Sequence, residues 1–439
     1  MRQMSKPAPP RLSIRHGRLI DPLHAVDTHA DVHLADGRVV AIGAAPDGFQ
    51  PERELDASGC LVVPGLIDLC ARLREPGLER KATIRSETQA AAASGITSLC
   101  CPPDTDPVID TPAVAQLIRQ TAQRYGYARV LPAGSLTHGL AGTQLSEMAA
   151  LKHAGCPVLS HADRPIRNTR VQRRALEYAA TFGMTCFLHP CDADLSDGGL
   201  VHEGRVSTRL GLPGIPEAAE TVAVARDLAL AEQTGARIHF RGLSTARATA
   251  MLAEARARGV AVTADVSAHQ LFLTENDVDH FAANAYVLPP LRTESDRQAL
   301  RAAVARGEIT AICSDHQPHE DDAKQAPFPR IQPGISALET LLPLTLQLVT
   351  DGVLSLNQAI AMLTCQPAAI LNSKRGHLAI NARADVCVID PNKIWILNEH
   401  TMRSRGLNTP FLNQELRGQV QWTILNGRVV FEQSPVQYC

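Results

Sequence analysis

The sequence predicts an α/β protein built on a (β/α)8 barrel, with smaller β-rich segments at the two chain ends. Through the middle of the chain, strand-like apolar runs alternate with helical stretches, and polar residues are concentrated just after the strands. A barrel that carries its functional residues at the C-terminal ends of its strands requires this pattern. The chain has 439 residues, and since a barrel of this type takes up about 250 of them, room is left for one smaller module.

The chain ends are predicted to form short strands separated by turns. Asp36-Gly37 has the composition of a two-residue hairpin turn, and Asn426-Gly427 repeats it near the other end. The strand candidates are Leu12–Ile14, Arg18–Ile20, Val32–Leu34, Val39–Gly43, Ala384–Asp390 and Val420–Val430. Residues 1–10 are polar and rich in proline and are predicted to be disordered.

Between these ends, the hydrophobic pattern switches repeatedly between strand and helix. The strand candidates are Ile96–Cys101, Cys186–His189, Arg237–Phe240, Ala261–Val266 and Ile309–Ser314. The helix candidates are Thr83–Ala93, Val171–Ala180, Pro216–Thr234, Thr245–Arg258 and Ser295–Ala305.

Composition excludes several classes of partner. The net charge is −2, from 43 basic and 45 acidic residues, so no long-range field attracts nucleic acid or an anionic membrane. No segment has the length or apolarity of a signal peptide or a membrane span. The 11 cysteines lack C-x-x-C spacing, which suits a reducing compartment, and we expect a cytoplasmic protein.

The segment 63–77 carries the most informative motif. Its apolar run ends in Asp68-Leu69, and because residues i and i+2 of a strand face the same way, Cys70 and Arg72 are predicted to point into one cavity. The segment resembles the strand that carries a His-x-His metal pair in the amidohydrolase superfamily, and the Leu73–Gly77 sequence that follows resembles dihydroorotase. In that family the metal histidines stand where Cys70 and Arg72 stand here.

The resemblance implies a domain organisation. In the amidohydrolase type, the two chain ends combine into one β-sandwich that flanks the barrel. We therefore expect residues 11–63 and 365–439 to form a composite sandwich, and residues 64–364 to form the barrel.

The resemblance also implies a zinc site, in which the metal polarises the carbonyl of a cyclic amide and activates a water. Beyond Cys70 and Arg72, His161 takes the place of the bridging ligand, although Asp163 is the match if the register differs. Gly242 takes another ligand position and offers no donor side chain. His189 and Asp315, the latter the family's general base, are retained.

Arginine cannot bind zinc, because it stays protonated and has no acceptor lone pair. A guanidinium about 4 Å from a dication would be repelled by roughly 8 kcal/mol at an effective dielectric constant of about 20. We therefore expect no metal, no cofactor and no catalytic residue, with His189 and Asp315 acting as ordinary polar residues. An ion pair between Arg72 and Asp315 is predicted, since a buried carboxylate needs a charged partner.

Of the positions that bind the substrate in the resembled family, some are retained here and others are replaced. Arg74 stands where that family binds the substrate carboxylate, and His269 also fits its pattern. Asp104 and Leu288, however, each replace an asparagine, and a carboxylate at position 104 would repel an anionic substrate. These residues are interpreted as remnants of substrate binding.

The leading functional hypothesis is a catalytically inactive dihydroorotase-like protein. In some bacteria, such chains are noncatalytic subunits of aspartate carbamoyltransferase. The resemblance therefore implies a hetero-oligomer in which the partner is the catalytic chain of aspartate carbamoyltransferase. One alternative is an active cyclic-amide hydrolase, of the dihydroorotase or hydantoinase type, with one metal on Cys70, His189 and Asp315. Another is a regulatory module in which Arg74 and His269 hold an acidic pyrimidine precursor.

Overall fold

The computed structural model describes residues 8–434, so seven of the ten N-terminal residues predicted to be disordered lie outside the described residues. The N-terminal part forms seven short strands. They are β1 (Leu12–Arg15), β2 (Arg18–Asp21), β3 (Val26–His29), β4 (Val32–Ala35), β5 (Arg38–Ile42), β6 (Arg53–Asp56) and β7 (Leu61–Pro64).

Parallel strands then form the barrel, with eight positions around its wall. In wall order these are β8 (Leu66–Asp68), β9 (Ile96–Cys101), β10 (Arg129–Pro132) continued by β11 (Gly134–Ser135), β12 (Val158–Ser160), β13 (Thr185–Leu188), β16 (Ile238–Phe240), β17 (Val262–Ser267) and β18 (Ala311–Cys313). The long connection after β13 holds a separate two-strand ladder of β14 (Val201–His202) and β15 (Gly214–Ile215).

Helices connect and cover the barrel strands. They are α1 (Ile84–Ala93), α2 (Pro112–Tyr125), α3 (Met148–His153), α4 (Thr169–Thr181), α5 (Arg205–Leu210), α6 (Glu217–Thr234), α7 (Ala246–Ala257), α8 (Glu294–Ala305), α9 (Leu338–Thr350), α10 (Leu356–Leu363) and α11 (Cys365–Ile370). Capping explains several starts: Thr83, Thr245 and Thr293 each accept a hydrogen bond from a backbone N–H in the first turn that follows.

The barrel closes between its first and last strands. The backbone N–H of Arg72 donates to the His316 carbonyl at 2.9 Å, and the N–H of His316 donates to the Cys70 carbonyl at 3.2 Å. His316 is fully buried, and its Nε2 lies 2.7 Å from a carboxylate oxygen of Glu87 on α1. This closure places the residues just after β8 and β18 side by side.

The last strands return to the N-terminal module, which confirms the predicted sandwich of the two chain ends. They are β19 (Val386–Ile396), β20 (Glu415–Leu425) and β21 (Arg428–Glu432). One sheet has the order β5-β4-β1-β6 and the other β21-β20-β19-β7-β2-β3, with β19 antiparallel to β7. Asn426 and Gly427 form the predicted turn with positive φ angles of 50° and 77°.

The five predicted barrel helices and five predicted strands are all present, with ends shifted by a few residues. Helix α9 was not anticipated, because residues on all of its faces are buried and its sequence lacks an amphipathic stripe. Helix α11 lies within the segment assigned to the sandwich, yet Ala368 and Ile370 pack with Ile67 and Cys313 of the barrel strands.

None of the helices in residues 8–434 is long and apolar enough to cross a membrane. The ten cysteines in this part of the chain are all free thiols.

The composite sandwich makes a stability prediction. Ile424 on β20 is fully buried in a core shared by both chain ends, so Ile424→Ala should lower the free energy of unfolding by about 2 to 5 kcal/mol. Ile396 on β19 is 47% exposed, and Ile396→Ala should change it by less than about 0.5 kcal/mol. Urea denaturation measures the free energy of unfolding of both variants, and equal losses of stability would contradict a core shared by the two chain ends.

Candidate functional site at the barrel mouth

The C-terminal ends of the barrel strands bring five charged residues and one cysteine together. Cys70 and Arg72 follow β8, Asp104 follows β9, Asp163 follows β12, and the remaining two follow β16 and β18, namely Arg241 and Asp315. Because all strands of the barrel are parallel, residues distant in sequence meet at this one end. We call these six residues the mouth cluster.

Arg72 is the centre of the mouth cluster, and its side chain is 5% exposed. Its Nε donates to Asp104 at 2.7 Å, and its Nη2 donates to Asp163. Its Nη1 lies 3.4 Å from Asp315, which confirms the predicted ion pair. One guanidinium therefore contacts carboxylates from three other strand ends. Asp104, which was predicted to be a remnant of substrate binding, is one of these three ion-pair partners.

Arg241 is a second buried cation that sequence reasoning missed. Its Nη2 donates to the Cys70 thiol at 2.8 Å and lies 3.5 Å from both Asp163 and Asp315. Its Nε and Nη1 are buried without a hydrogen-bond partner among the described residues. The available signal was a charged residue directly after an apolar barrel strand, the position at which barrel proteins place functional groups.

The two guanidiniums control the ionisation of the aspartates. Burial by itself would raise the pKa of Asp163, but Arg72 and Arg241 hold it well below its ordinary value. Burial raises the pKa of Asp315; Arg72 opposes this shift and the neighbouring Asp163 adds to it. Burial also raises the pKa of the Cys70 thiol well above its ordinary value. Cys70 is therefore a neutral thiol, which donates to Asp315 at 3.2 Å.

Two predicted metal positions lie outside the mouth cluster. His161 turns away, with Nε2 2.8 Å from the Thr137 hydroxyl and Nδ1 2.5 Å from the Arg164 carbonyl. Asp163, the alternative match, joins the cluster instead. Gly242 has a φ angle of 63°, a backbone conformation that favours glycine, and its N–H donates to Asp265 at 2.7 Å.

The predicted substrate remnants are also held by other protein groups. Arg74 donates to the Pro318 carbonyl at 3.1 Å, and its Nη2 lies 3.2 Å from a ring nitrogen of His319. His269 is buried with Nε2 3.1 Å from the Ser267 hydroxyl, and burial lowers its pKa to about 3. Its Nδ1 has no hydrogen-bond partner in the described structure.

His189 lies beside the mouth cluster and lines a small cavity. Burial by itself would lower its pKa, but a hydrogen bond with Cys191 and the charge of Asp163 raise it. The cavity has a volume of about 130 Å³ and is also lined by Asp163, Leu288 and Arg292. Sites for small molecules usually have volumes of about 300 to 1,000 Å³. This cavity is therefore smaller than most sites that bind small molecules.

The residues of the mouth do not fit the zinc that the resemblance implies. Zinc would need donors at about 2.0 to 2.3 Å, and Arg241 already donates to the Cys70 sulfur while Arg72 holds two of the aspartates. Both cations would lie close to the dication and repel it. Among the described residues, the grouping with metal-ligand spacing lies in the sandwich, at Asp21, His24 and His377.

The architecture, a (β/α)8 barrel with a sandwich of the two chain ends, is found in solved structures of other proteins. The L-hydantoinase (dihydropyrimidinase) from Arthrobacter aurescens has the same fold, with a TM-score of 0.87, 21% identity and coverage of 98% of both chains. A dihydropyrimidinase from Brevibacillus agri matches with a TM-score of 0.82 and 22% identity, over 96% of this chain and 95% of that one.

Sequence comparison identifies the family. The family described as "Dihydro-orotase-like" matches residues 59–247. A dihydroorotase-like protein of Pseudomonas aeruginosa is 49% identical over 96% of this chain and 99% of the relative. One from Pseudomonas putida is 50% identical over 95% and 98%, and a dihydroorotase of Syntrophotalea carbinolica is 43% identical over 97% and 100%. The chain belongs to the dihydroorotase-like family.

Removing the central guanidinium should destabilise the fold. Arg72→Met leaves the carboxylates of Asp104, Asp163 and Asp315 without their main cation, so the free energy of unfolding should fall by about 3 to 5 kcal/mol at pH 7. Arg258 forms a 2.7 Å pair with Glu232 on the surface, and Arg258→Met should cost less than about 1 kcal/mol. Denaturant unfolding measures the free energy of unfolding of both variants. A loss for Arg72→Met as small as that for Arg258→Met would contradict the central role of Arg72.

The lowered pKa of Asp163 fixes the sign of a pH effect. A carboxyl with a depressed pKa in the folded state stabilises the protein above its unfolded pKa, about 3.9, and loses that contribution as the pH falls through its folded pKa. Asp163→Asn should therefore be costly at pH 7 and progressively less costly below about pH 4. Unfolding curves of wild type and variant over this range test it, and a cost independent of pH would contradict it.

Proposed function

We propose that this chain is a catalytically inactive member of the dihydroorotase-like family. The observation that carries the proposal is the position of Arg72, a cation with its guanidinium among the acidic groups at a place where the family pattern puts a metal histidine. Catalysis by a metal-activated water needs an open coordination position and donors free to bind the ion. Arg72 and Arg241 instead engage Cys70, Asp163 and Asp315.

We further propose that the chain is a noncatalytic, structural subunit of an aspartate carbamoyltransferase complex in pyrimidine biosynthesis. The support is the resemblance to dihydroorotase-like chains that act in this way, together with a barrel that is intact around the mouth cluster. A fold that is kept without metal chemistry supplies surface for association. Buried ion pairs in place of a metal also keep the barrel mouth ordered without an ion.

Co-expression with the aspartate carbamoyltransferase catalytic chain of the same organism tests both parts of the proposal. The expected product is one complex on size exclusion that has carbamoyltransferase activity and no turnover of dihydroorotate. Separate elution of the two chains would overturn the assigned partner.

A one-metal cyclic-amide hydrolase would behave differently and has a specific control. It would retain zinc and turn over ring amides, and Cys70→Ala would abolish both. Cys101→Ala, at a buried cysteine outside the mouth cluster, is the matched control. Zinc or activity that is lost in the first variant and kept in the second would overturn the noncatalytic assignment.

A further inference from the structure

A large cavity lies at the opposite end of the barrel from the mouth cluster. Its volume is about 780 Å³, and its walls come from the C-terminal end of α2, the N-terminal ends of β10 and β12, the segment after α11 and the turn between β20 and β21. It therefore lies where the barrel meets the sandwich. We call it the junction cavity.

The junction cavity is strongly basic. Among the described residues that line it, no side chain is acidic, and six are basic: Arg119, Arg129, Lys374, Arg375, Arg383 and Arg428. A carboxylate that forms ion pairs with these basic residues belongs to Asp385, and it lies 3.0 Å from Arg129. Since the whole chain has a net charge of −2, this concentration of positive charge is a local feature.

Some of these cations have structural partners. Arg129 donates to Ser98, Asp385 and Asn426 at 2.9 to 3.0 Å, which ties the barrel to the sandwich. Arg119 donates to the Ala154 carbonyl at 2.5 Å. These two arginines are explained by the fold.

Arg383 donates to the side-chain oxygen of Asn426 at 3.3 Å, and the remaining three cations are poorly compensated. Lys374 and Arg428 have no polar side-chain partner within the described part of the chain. The Arg375 Nη1 donates to the Ser373 hydroxyl at 3.2 Å, but the Arg375 Nε is buried without a hydrogen-bond partner there, and its closest carboxylate oxygen, on Asp385, is 3.9 Å away. Burial lowers the pKa of Arg375 to about 10, and the charge of Arg129 adds to this. Positive groups are thus held together without enough negative charge to balance them.

A bound polyanion would supply the missing charge. Guanidinium and ammonium groups make strong charge-assisted hydrogen bonds to phosphate, and a concave basic surface concentrates anions. The Asn372 amide on the same wall can form further hydrogen bonds, and the Ser373 hydroxyl, which accepts from Arg375, still has its own O–H to donate. The volume of about 780 Å³ lies in the range usual for sites that bind small molecules.

We infer that the junction cavity is a binding site for a small molecule that carries several linked phosphate groups, with Lys374, Arg375 and Arg428 as its main contacts. The site lies at the end of the barrel that does not hold the mouth cluster. It is independent of the proposed noncatalytic role and requires neither metal nor turnover.

Titration calorimetry of the full-length chain with sodium tripolyphosphate and with ATP tests the inference. Both should bind at one site per chain, with an affinity that falls as salt is raised, because the contacts are ionic. The variant Lys374→Gln/Arg375→Gln/Arg428→Gln should weaken binding at least about tenfold, as expected for losing charge-assisted hydrogen bonds.

A control variant separates a specific site from general charge attraction. Arg205→Gln/Arg247→Gln/Arg417→Gln removes the same charge from exposed positions outside the cavity and should leave affinity within about twofold. Equal weakening in both variants, or no binding of either phosphate at millimolar concentration, would overturn the inference. A glutamate-rich peptide of equal charge that binds as tightly as tripolyphosphate would also overturn it. Thermal unfolding of each free variant verifies that it is folded.

Discussion

The Arg72 guanidinium is the interaction on which the arrangement of the barrel mouth depends. It is 5% exposed and contacts Asp104, Asp163 and Asp315, which come from three other strand ends. A buried guanidinium is expensive to desolvate unless its donors are satisfied, and each aspartate needs a cation for the same reason. The network therefore ties four strand ends of the barrel together.

The second cation changes the balance of charge at the mouth. Arg72 pairs with Asp104, Asp163 and Asp315, and Arg241 lies near the last two, so two cations offset most of the charge of three carboxylates. The two guanidiniums act unequally on the carboxyls, because the pKa of Asp163 is depressed while the pKa of Asp315 is raised. Two buried guanidiniums that already engage the aspartates oppose the binding of an external cation at this end of the barrel.

The two ends of the barrel are electrostatically different. At the mouth, acidic and basic groups pair with one another beside a small cavity of about 130 Å³. At the junction with the sandwich, a cavity of about 780 Å³ is lined by basic groups and by no acidic side chain among the described residues. The net charge of −2 conceals this separation, because charges that lie far apart cancel in a sum without compensating one another.

The fold class and the positions of five barrel helices could be predicted from the sequence, and the resemblance to dihydroorotase implied that Cys70, Arg72 and Gly242 stand at metal-ligand positions. Hydrophobic period, capping residues and local motifs are short-range features, so they can be identified without coordinates. The same resemblance predicted the pair of Arg72 with Asp315, because a buried carboxylate requires a charged partner. Only the tertiary structure showed that Arg241 joins the mouth cluster, that Asp163 and not His161 lies there, and that six basic residues from distant segments line one cavity. Those contacts depend on where the parallel strands end in space, and the spacing of residues along a chain carries no information about distances across a barrel.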